Sequence, residues 1–184
     1  TNETEINKIR YVDSKSNQMV IRIDENDRCE RCNLLGLDLK QYDAIIISDY
    51  CKGFLEEEDI FNICKENKNV FIDTKKKLGT WVTNAKFIKL NQYEYKNNKD
   101  FITKNDWIFY DKLIVTYGAK GCYYQKELFP PKDVVEIKDV SGAGDTFISA
   151  LVVEYLKSSD LNKSIEFAQK CASIVVSKKG VVTI

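Results

Sequence analysis

The chain has 184 residues, enough for one domain with a sizeable core. Its 43% hydrophobic and 30% charged residues, with 28 cations against 28 anions, describe an ordinary globular protein without the basic field of a nucleic-acid binder. No apolar run is long enough to span a bilayer, and residues 1–10 are too polar for a signal peptide, so the expected address is cytoplasmic, with neither nucleic acid nor membrane as a partner.

In chain order, residues 8–13 and 18–24 read as a β-hairpin turned by Ser14-Lys15-Ser16-Asn17. Met19, Ile21 and Ile23 alternate with Val20, Arg22 and Asp24, which gives the second strand one apolar face. A two-stranded ribbon is marginal alone, so that face is expected to cover something. Residues 25–37 have no clear period and read as a connection. Cys29-Glu30-Arg31-Cys32 within it is a lone CxxC; a structural zinc site needs a second pair, and the chain has no histidine. Cys51, Cys64, Cys122 and Cys171 stand singly and read as small buried hydrophobes.

Residues 43–50 form a continuous β-branched run, which predicts a strand buried on both faces. Glu56, Glu57, Glu58 and Asp59 then load a helix start with negative charge, and Ile60, Ile63 and Cys64 give that helix an apolar stripe. A short strand at residues 70–73 completes a βαβ unit. Lys75, Lys76 and Lys77 follow; three lysines in a row are a solvated loop or, at the carboxyl end of a parallel strand, part of a ligand site. Residues 86–90 are a strand running into Asn91-Gln92-Tyr93-Glu94, and the polar run 96–106 reads as a loop or insert. Residues 112–116 and 122–125 are strands separated by a turn that Gly118 and Gly121 punctuate, and Pro130-Pro131 marks a loop.

The β-branched run 134–137 is expected to lead as a strand into Asp139-Val140-Ser141-Gly142-Ala143-Gly144-Asp145-Thr146-Phe147, behind which residues 146–156 are helical. Two glycines and an alanine at a strand-to-helix junction let backbone amides converge, with a helix dipole behind them, as an anion site. A carboxylate there, Asp145, could take a proton from a hydroxyl that attacks a held phosphate. Alternatively it simply favours the first turn of a helix. The last helix is capped by Asp160 and carries Leu161, Ile165, Ala168, Ala172 and Val175 on one stripe, with Gly180 at its end. Without histidine, no Ser–His or Cys–His nucleophile pair is available.

Taken together, Ser48 to Gly53, Asp73-Thr74-Lys75, Asn91 to Glu94, Thr116 to Gly121 and Asp139 to Asp145 resemble, in order, the ribokinase-like (PfkB) carbohydrate kinases. The family's GAGD signature is matched at Gly142 to Asp145 and its NxxE element at Asn91 and Glu94; Ser141 stands where threonine is more usual. Within the family, the SDYxKG and DxK stretches and the early hairpin look most like the heptose 7-phosphate kinases. The resemblance implies an α/β fold: three α/β/α layers, a mainly parallel sheet and a small β lid. It implies one partial kinase domain over residues 1–184, with the lid at 8–24 and the nucleotide-binding core at 40–184.

The resemblance also implies roles. Asp145 would be the general base, and the amides of Gly142, Ala143 and Gly144 the anion hole. Asn91 and Glu94 would organise Mg2+ and the ATP phosphates, Glu94 through water. Thr116, Gly118, Gly121 and Gly180 would line the nucleotide site, and Asp49, Lys52 and Lys75 would face a sugar or sugar phosphate. A lysine there suits a substrate that already carries phosphate. The family's N-terminal sugar-binding segment has no counterpart in residues 1–184, so the expectation is a C-terminal part of a kinase. A homodimer through the lid, or a complementing chain, would complete it. The alternative is a non-catalytic nucleotide-binding or subunit-interaction module.

Overall fold

The computed structural model describes residues 5–16, 19–133, 135–180 and 182–184. Strands β1 (Asn7–Val12) and β2 (Met19–Glu25) pair antiparallel as a separate ribbon. The main sheet has the order β3 (Ile45–Asp49), β4 (Val70–Thr74), β5 (Phe87–Asn91), β6 (Leu113–Thr116), β7 (Cys122–Tyr124), β8 (Glu127–Phe129). Its first four strands are parallel and the last two antiparallel. Helices α1 (Glu57–Glu66), α2 (Gln92–Lys104) and α3 (Asp106–Phe109) lie on one face; α4 (Ala143–Ser158) and α5 (Leu161–Val176) lie on the other. The fold is the expected α/β one, a mostly parallel sheet between helices with a small hairpin beside it.

Strand alternation divides the core in two. Ile47, Val70, Ile72, Ile88, Leu90 and Val115 pack under α1–α3. Phe71, Phe87 and Ile114, one residue out of step, pack under α4 and α5. Burial of such a side chain contributes about 1.5–3 kcal/mol. Near the end of α4, Tyr155 sets its ring edge-on to Phe71 and Phe87, at 5.9 and 5.1 Å between centroids. This anchors the far end of the helix whose first turn carries Asp145.

Several expectations are corrected. The β3 run is not buried on both faces: Ile46 remains 40% exposed, because β3 is the sheet's edge strand. Residues 96–106 are not a loop; most belong to α2. Its buried positions are Glu94, Asn98 and Ile102, so two of the three residues that mark the inward face are polar and mask the period. They are nonetheless satisfied: Asn98 donates to the Glu94 carbonyl at 2.8 Å and accepts from the Leu78 amide at 2.7 Å.

Residues 135–137 are not a strand, and Val134 lies outside the described residues. The amides of Lys138 and Asp139 bond instead to the Val176 carbonyl at the end of α5, at 2.8 and 3.2 Å. Strand β8 was not expected, because its turn uses Gln125 and Lys126 at positive φ rather than glycine. Helix α5 ends at Val176, ahead of Gly180. Cys51 is exposed in the turn after β3, whereas Cys64, Cys122 and Cys171 are buried. On the hairpin, the in-register pairs Ile9 with Ile23 and Tyr11 with Ile21 remain 39–54% exposed, so their apolar face is left largely to solvent.

The irregular connection after the hairpin is held by Arg31, whose Nε and Nη2 donate to the Asp59 carboxylate at 2.9 and 2.8 Å. Asp59 also accepts the Glu56 amide at the start of α1. The Arg31 guanidinium beside it holds the Asp59 carboxyl below its usual value. A depressed carboxylate stabilises the fold above the unfolded-state pKa and loses that contribution as pH falls through the folded one. Asp59→Asn should therefore lower stability at pH 7 by about 1 kcal/mol, Arg31 being half exposed. The gap between wild type and variant should narrow as pH falls to 3, as read from urea midpoints; a gap independent of pH would contradict this role.

Candidate active site

Sheet register places Ser48 on β3 opposite Asp73 on β4, and Asp73 opposite Lys89 on β5. All three point to the α4 side of the sheet. The first turn of α4 sits over this polar row. Gly142 caps it at φ 78, a left-handed conformation that suits glycine. A helix start leaves its first amides without intrahelical acceptors; the Ala143 amide is taken up by the Val140 carbonyl at 3.3 Å. Asp139 ties the approach: its carboxylate accepts from the Ser141 amide at 2.8 Å and the Gly180 amide at 3.2 Å. The Ser141 amide, foremost, keeps the Asp139 carboxyl low, and Arg10 of the hairpin adds to this.

Asp145 in this turn faces the end of β3. Ser48 Oγ donates to its Oδ1 at 3.1 Å, and the Tyr50 hydroxyl lies 3.0 Å from both carboxylate oxygens. Burial, reinforced by the Asp145 charge, pushes the Tyr50 phenol up to about 12, so it remains a donor at neutral pH. The Lys75 ammonium lies 4.3 Å from the Tyr50 ring centroid.

Behind Asp145, Lys89 Nζ lies 2.5 Å from Asp73 Oδ2, and both side chains are largely buried. A Cβ on Gly144 would stand 3.0 Å from that ammonium, so the glycine is what lets α4 come so close. Burial pushes the Asp73 carboxyl up, opposed by Lys89 and reinforced by Asp145.

Next to this point opens a largely apolar cleft of about 250 Å³. It is lined by Lys89, by Ala143 and Gly144 at the start of α4, by Thr116, Gly118 and Gly121, and by Ala172, Ser173 and Val176 of α5. Thus Ala143, Gly144, Thr116, Gly118 and Gly121 line one cleft, and Gly142 and Asp145 lie on the same turn at the start of α4. Gly180 does not line the cleft; it is tied to Asp139 instead.

Asn91 and Glu94 form a reciprocal cap on α2: Asn91 Oδ1 accepts the Glu94 amide at 2.9 Å, and Glu94 Oε2 accepts the Asn91 amide at 2.7 Å. Burial raises the Glu94 carboxyl, and the Asn91 amide opposes the rise. Among the described residues, no group of three His, Cys, Asp or Glu converges as a metal cage. Glu94, with one oxygen already used, does not make a cation site unaided; a magnesium ion there would have to bring phosphate and water ligands.

On the expected substrate side the three residues part company. Asp49 is buried and accepts from the Cys51 amide at 3.0 Å, Thr74 Oγ1 at 2.9 Å and Lys76 Nζ at 3.4 Å. These bonds shape the turn that aims Tyr50. Lys52 is paired with Asp27, which also lies 3.8 Å from Lys8 of the hairpin. Only Lys75 stands beside the Asp145 cluster. Sequence reasoning had not placed Ser48, Tyr50, Asp73 or Lys89 in the site. The one available signal was a lysine inside the otherwise apolar strand Phe87–Asn91, where a charge needs a reason.

With this geometry in hand, known proteins give a consistent picture. The profile of the pfkB family carbohydrate kinases matches residues 36–184. The chain belongs to the PfkB family of carbohydrate kinases. A relative named bifunctional protein HldE from a Nitratiruptor species is 30% identical over 91% of this chain, and the HldE of Helicobacter acinonychis is 29% identical over 89%. The chain spans only 41% of the length of either relative. In structure it is similar to the ribokinase of Thermotoga maritima, with a TM-score of 0.73 and 19% identity over 95% of this chain and 64% of that one. The ribokinase of Arabidopsis thaliana in complex with ribose and ATP gives a TM-score of 0.73 and 16% identity over 96% and 64%. These likenesses establish the ribokinase fold. No helix of the described residues is long and apolar enough to cross a membrane.

The two site glycines on the β6–β7 turn differ in what they tolerate. A Cβ on Gly121, at φ 93, would stand 2.1 Å from the Phe129 carbonyl oxygen, whereas one on Gly118, at φ 57, meets nothing within 4 Å. Gly121→Ala should cost about 3 kcal/mol or more from backbone strain plus overlap, and Gly118→Ala about 1 kcal/mol. Equal losses in thermal or urea unfolding would contradict the close-approach role of Gly121.

Proposed function

We propose that this PfkB chain carries the nucleotide site and catalytic base of an ATP-dependent kinase acting on a hydroxyl of a sugar or sugar phosphate, in the manner of a heptose 7-phosphate kinase. The observation that carries the reading is the meeting of three features at one turn: the Asp145 carboxylate, the amide-rich start of α4, and the apolar cleft. The resemblance of the SDYxKG and DxK stretches to heptose 7-phosphate kinases, with the Lys75 ammonium beside Tyr50, favours a sugar phosphate over a free sugar.

In this reading Asp145 takes the proton of the acceptor hydroxyl. The acceptor oxygen forms a bond to the γ-phosphorus as the bond from that phosphorus to the bridging oxygen breaks, leaving ADP. Ser48 and Tyr50 hold the carboxylate in place for that transfer. Amides of Gly142 and Gly144, joined by that of Ala143 when it leaves the Val140 carbonyl, face the charge that spreads over the moving group. Thr116, Gly118, Gly121 and the α5 residues enclose the base and sugar of the nucleotide. Asn91 and Glu94 orient the phosphates and, through water, Mg2+; when bound, the ion neutralises phosphate charge. Lys75 is the cation beside the acceptor side, Lys52 stays paired with Asp27, and the hairpin is the lid over the acceptor.

A second reading, a non-catalytic nucleotide-binding or subunit-interaction module, is motivated by surfaces that await a cover. The hairpin leaves Tyr11, Met19 and Ile21 exposed, and β3 is an open edge with Ile46 half uncovered. A second copy joined through the hairpin, or another chain or segment along β3, would cover them and complete the acceptor pocket.

Titration with Mg-ATP beside a phosphoryl-transfer assay on a sugar and sugar-phosphate panel separates the two readings; binding without transfer favours the module. In the active assembly, Asp145→Asn should lower kcat by about 10²–10⁴ while nucleotide affinity is largely kept. Turnover close to wild type would remove Asp145 from the role of base.

A further inference from the structure

The Asp73–Lys89 pair is the unexplained feature of the site. It is a carboxylate and an ammonium, both largely buried, set into neighbouring parallel strands where apolar side chains are the rule. Taking two charges out of water is costly, and well-packed apolar residues often serve stability as well or better. Stability alone is therefore a poor reason for the pair.

Its position supplies another reason. Among the described residues that line the cleft, Lys89 is the sole cation. Its ammonium sits beside the first turn of α4, 3.0 Å from where a Cβ of Gly144 would stand. The rest of the cleft is mostly apolar, which suits a base and a sugar rather than their phosphates. Asp73, which does not itself line the cleft, holds Lys89 and lies close enough to Asp145 for the two carboxylates to repel. The buried Glu94, the half-buried Asp73 and the more exposed Asp145 thus place three carboxylates around Lys89. A polyanion entering such a region needs a cation that is already desolvated and can change partners.

We propose that Lys89 is that cation: it pairs with Asp73 when the cleft is empty and turns to the terminal phosphates of a bound nucleoside triphosphate, so that the Asp73–Lys89 couple reads the length of the phosphate chain. The proposal rests on the kinase reading of the same cleft. Gly144 follows from it, because a side chain at that position would stand between the ammonium and the helix start. Asp73 is a positioning residue that holds the Lys89 side chain while the cleft is empty.

Calorimetric titration of the 184-residue chain with adenosine, ADP and ATP, each with Mg2+, tests this without need of a sugar. Lys89→Met should weaken ATP by roughly ten- to a hundredfold, the range of a charge-assisted hydrogen bond, and ADP by less, leaving adenosine unchanged. Lys89→Arg should recover part of the ATP affinity. Asp73→Asn, which frees Lys89 from its counter-ion, should hold or tighten ATP binding. Because either single change leaves a buried charge alone, the double variant Lys89→Met/Asp73→Asn is measured as well; its cooperative thermal melt with selective loss of ATP affinity excludes simple unfolding. An equal loss for adenosine and ATP, or ATP affinity untouched in Lys89→Met, overturns the proposal while the nucleotide site stands. Wild type binding neither adenosine nor ATP overturns the kinase reading along with it.

Discussion

The close approach of α4 to the sheet is the constraint on which the rest of the site depends. It is possible because position 144 has no side chain and position 142 adopts a left-handed conformation. It brings three things within a few ångströms: amides at a helix start, a carboxylate on the same turn, and a polar row Ser48–Asp73–Lys89 on the strands below. Each is ordinary alone. Together they form a place where a phosphoryl group can be held by positive ends and a hydroxyl deprotonated beside it.

The layers around this point serve to hold it. Strand alternation sends Phe71, Phe87 and Ile114 toward α4 and α5, and Ile72, Ile88 and Val115 toward the opposite helices. The same alternation, continued to the carboxyl ends of the strands, turns Asp73 and Lys89 toward α4. Core and site are thus one pattern, apolar along the strands and polar where they end. This is where open parallel sheets place their ligands. Tyr155 against Phe71 and Phe87 fixes the far end of α4, and Asp139, bonded to Ser141 and Gly180, fixes the approach to its near end.

Much of this was legible in the sequence, for identifiable reasons. The βαβ unit and the helices after Asp145 and Asp160 follow from long apolar periods and turn signals, while the grouping of Asp145 with Thr116, Gly118 and Gly121 follows from the resemblance to the PfkB kinases. What escaped had weak local signals. Helix α2 buries Glu94 and Asn98, whose bonding is visible only in three dimensions. The hairpin turn before β8 places Gln125 and Lys126 where glycine is usual. Residues 135–137 have strand composition, but neighbouring amides are claimed by the end of α5. Asp49 had the look of a ligand and is a buried brace, while Tyr50, its neighbour, reaches the base. Ser48, Tyr50, Asp73 and Lys89 became a group only when the strands were in register, which no single stretch encodes.

If the start of α4 and the adjoining cleft form a nucleoside triphosphate site, mapping Mg-ATP onto the isotope-labelled chain by NMR tests it most directly. Shifts should concentrate on the amides of Gly142, Ala143, Gly144 and Asp145, on Gly118 and Gly121, and on Ser173 and Val176. A second concavity, lined by Tyr95, Phe109, Tyr117 and Tyr123, lies elsewhere and serves as the internal comparison. Shifts concentrated there, with the first turn of α4 unmoved, would contradict the assignment of the site.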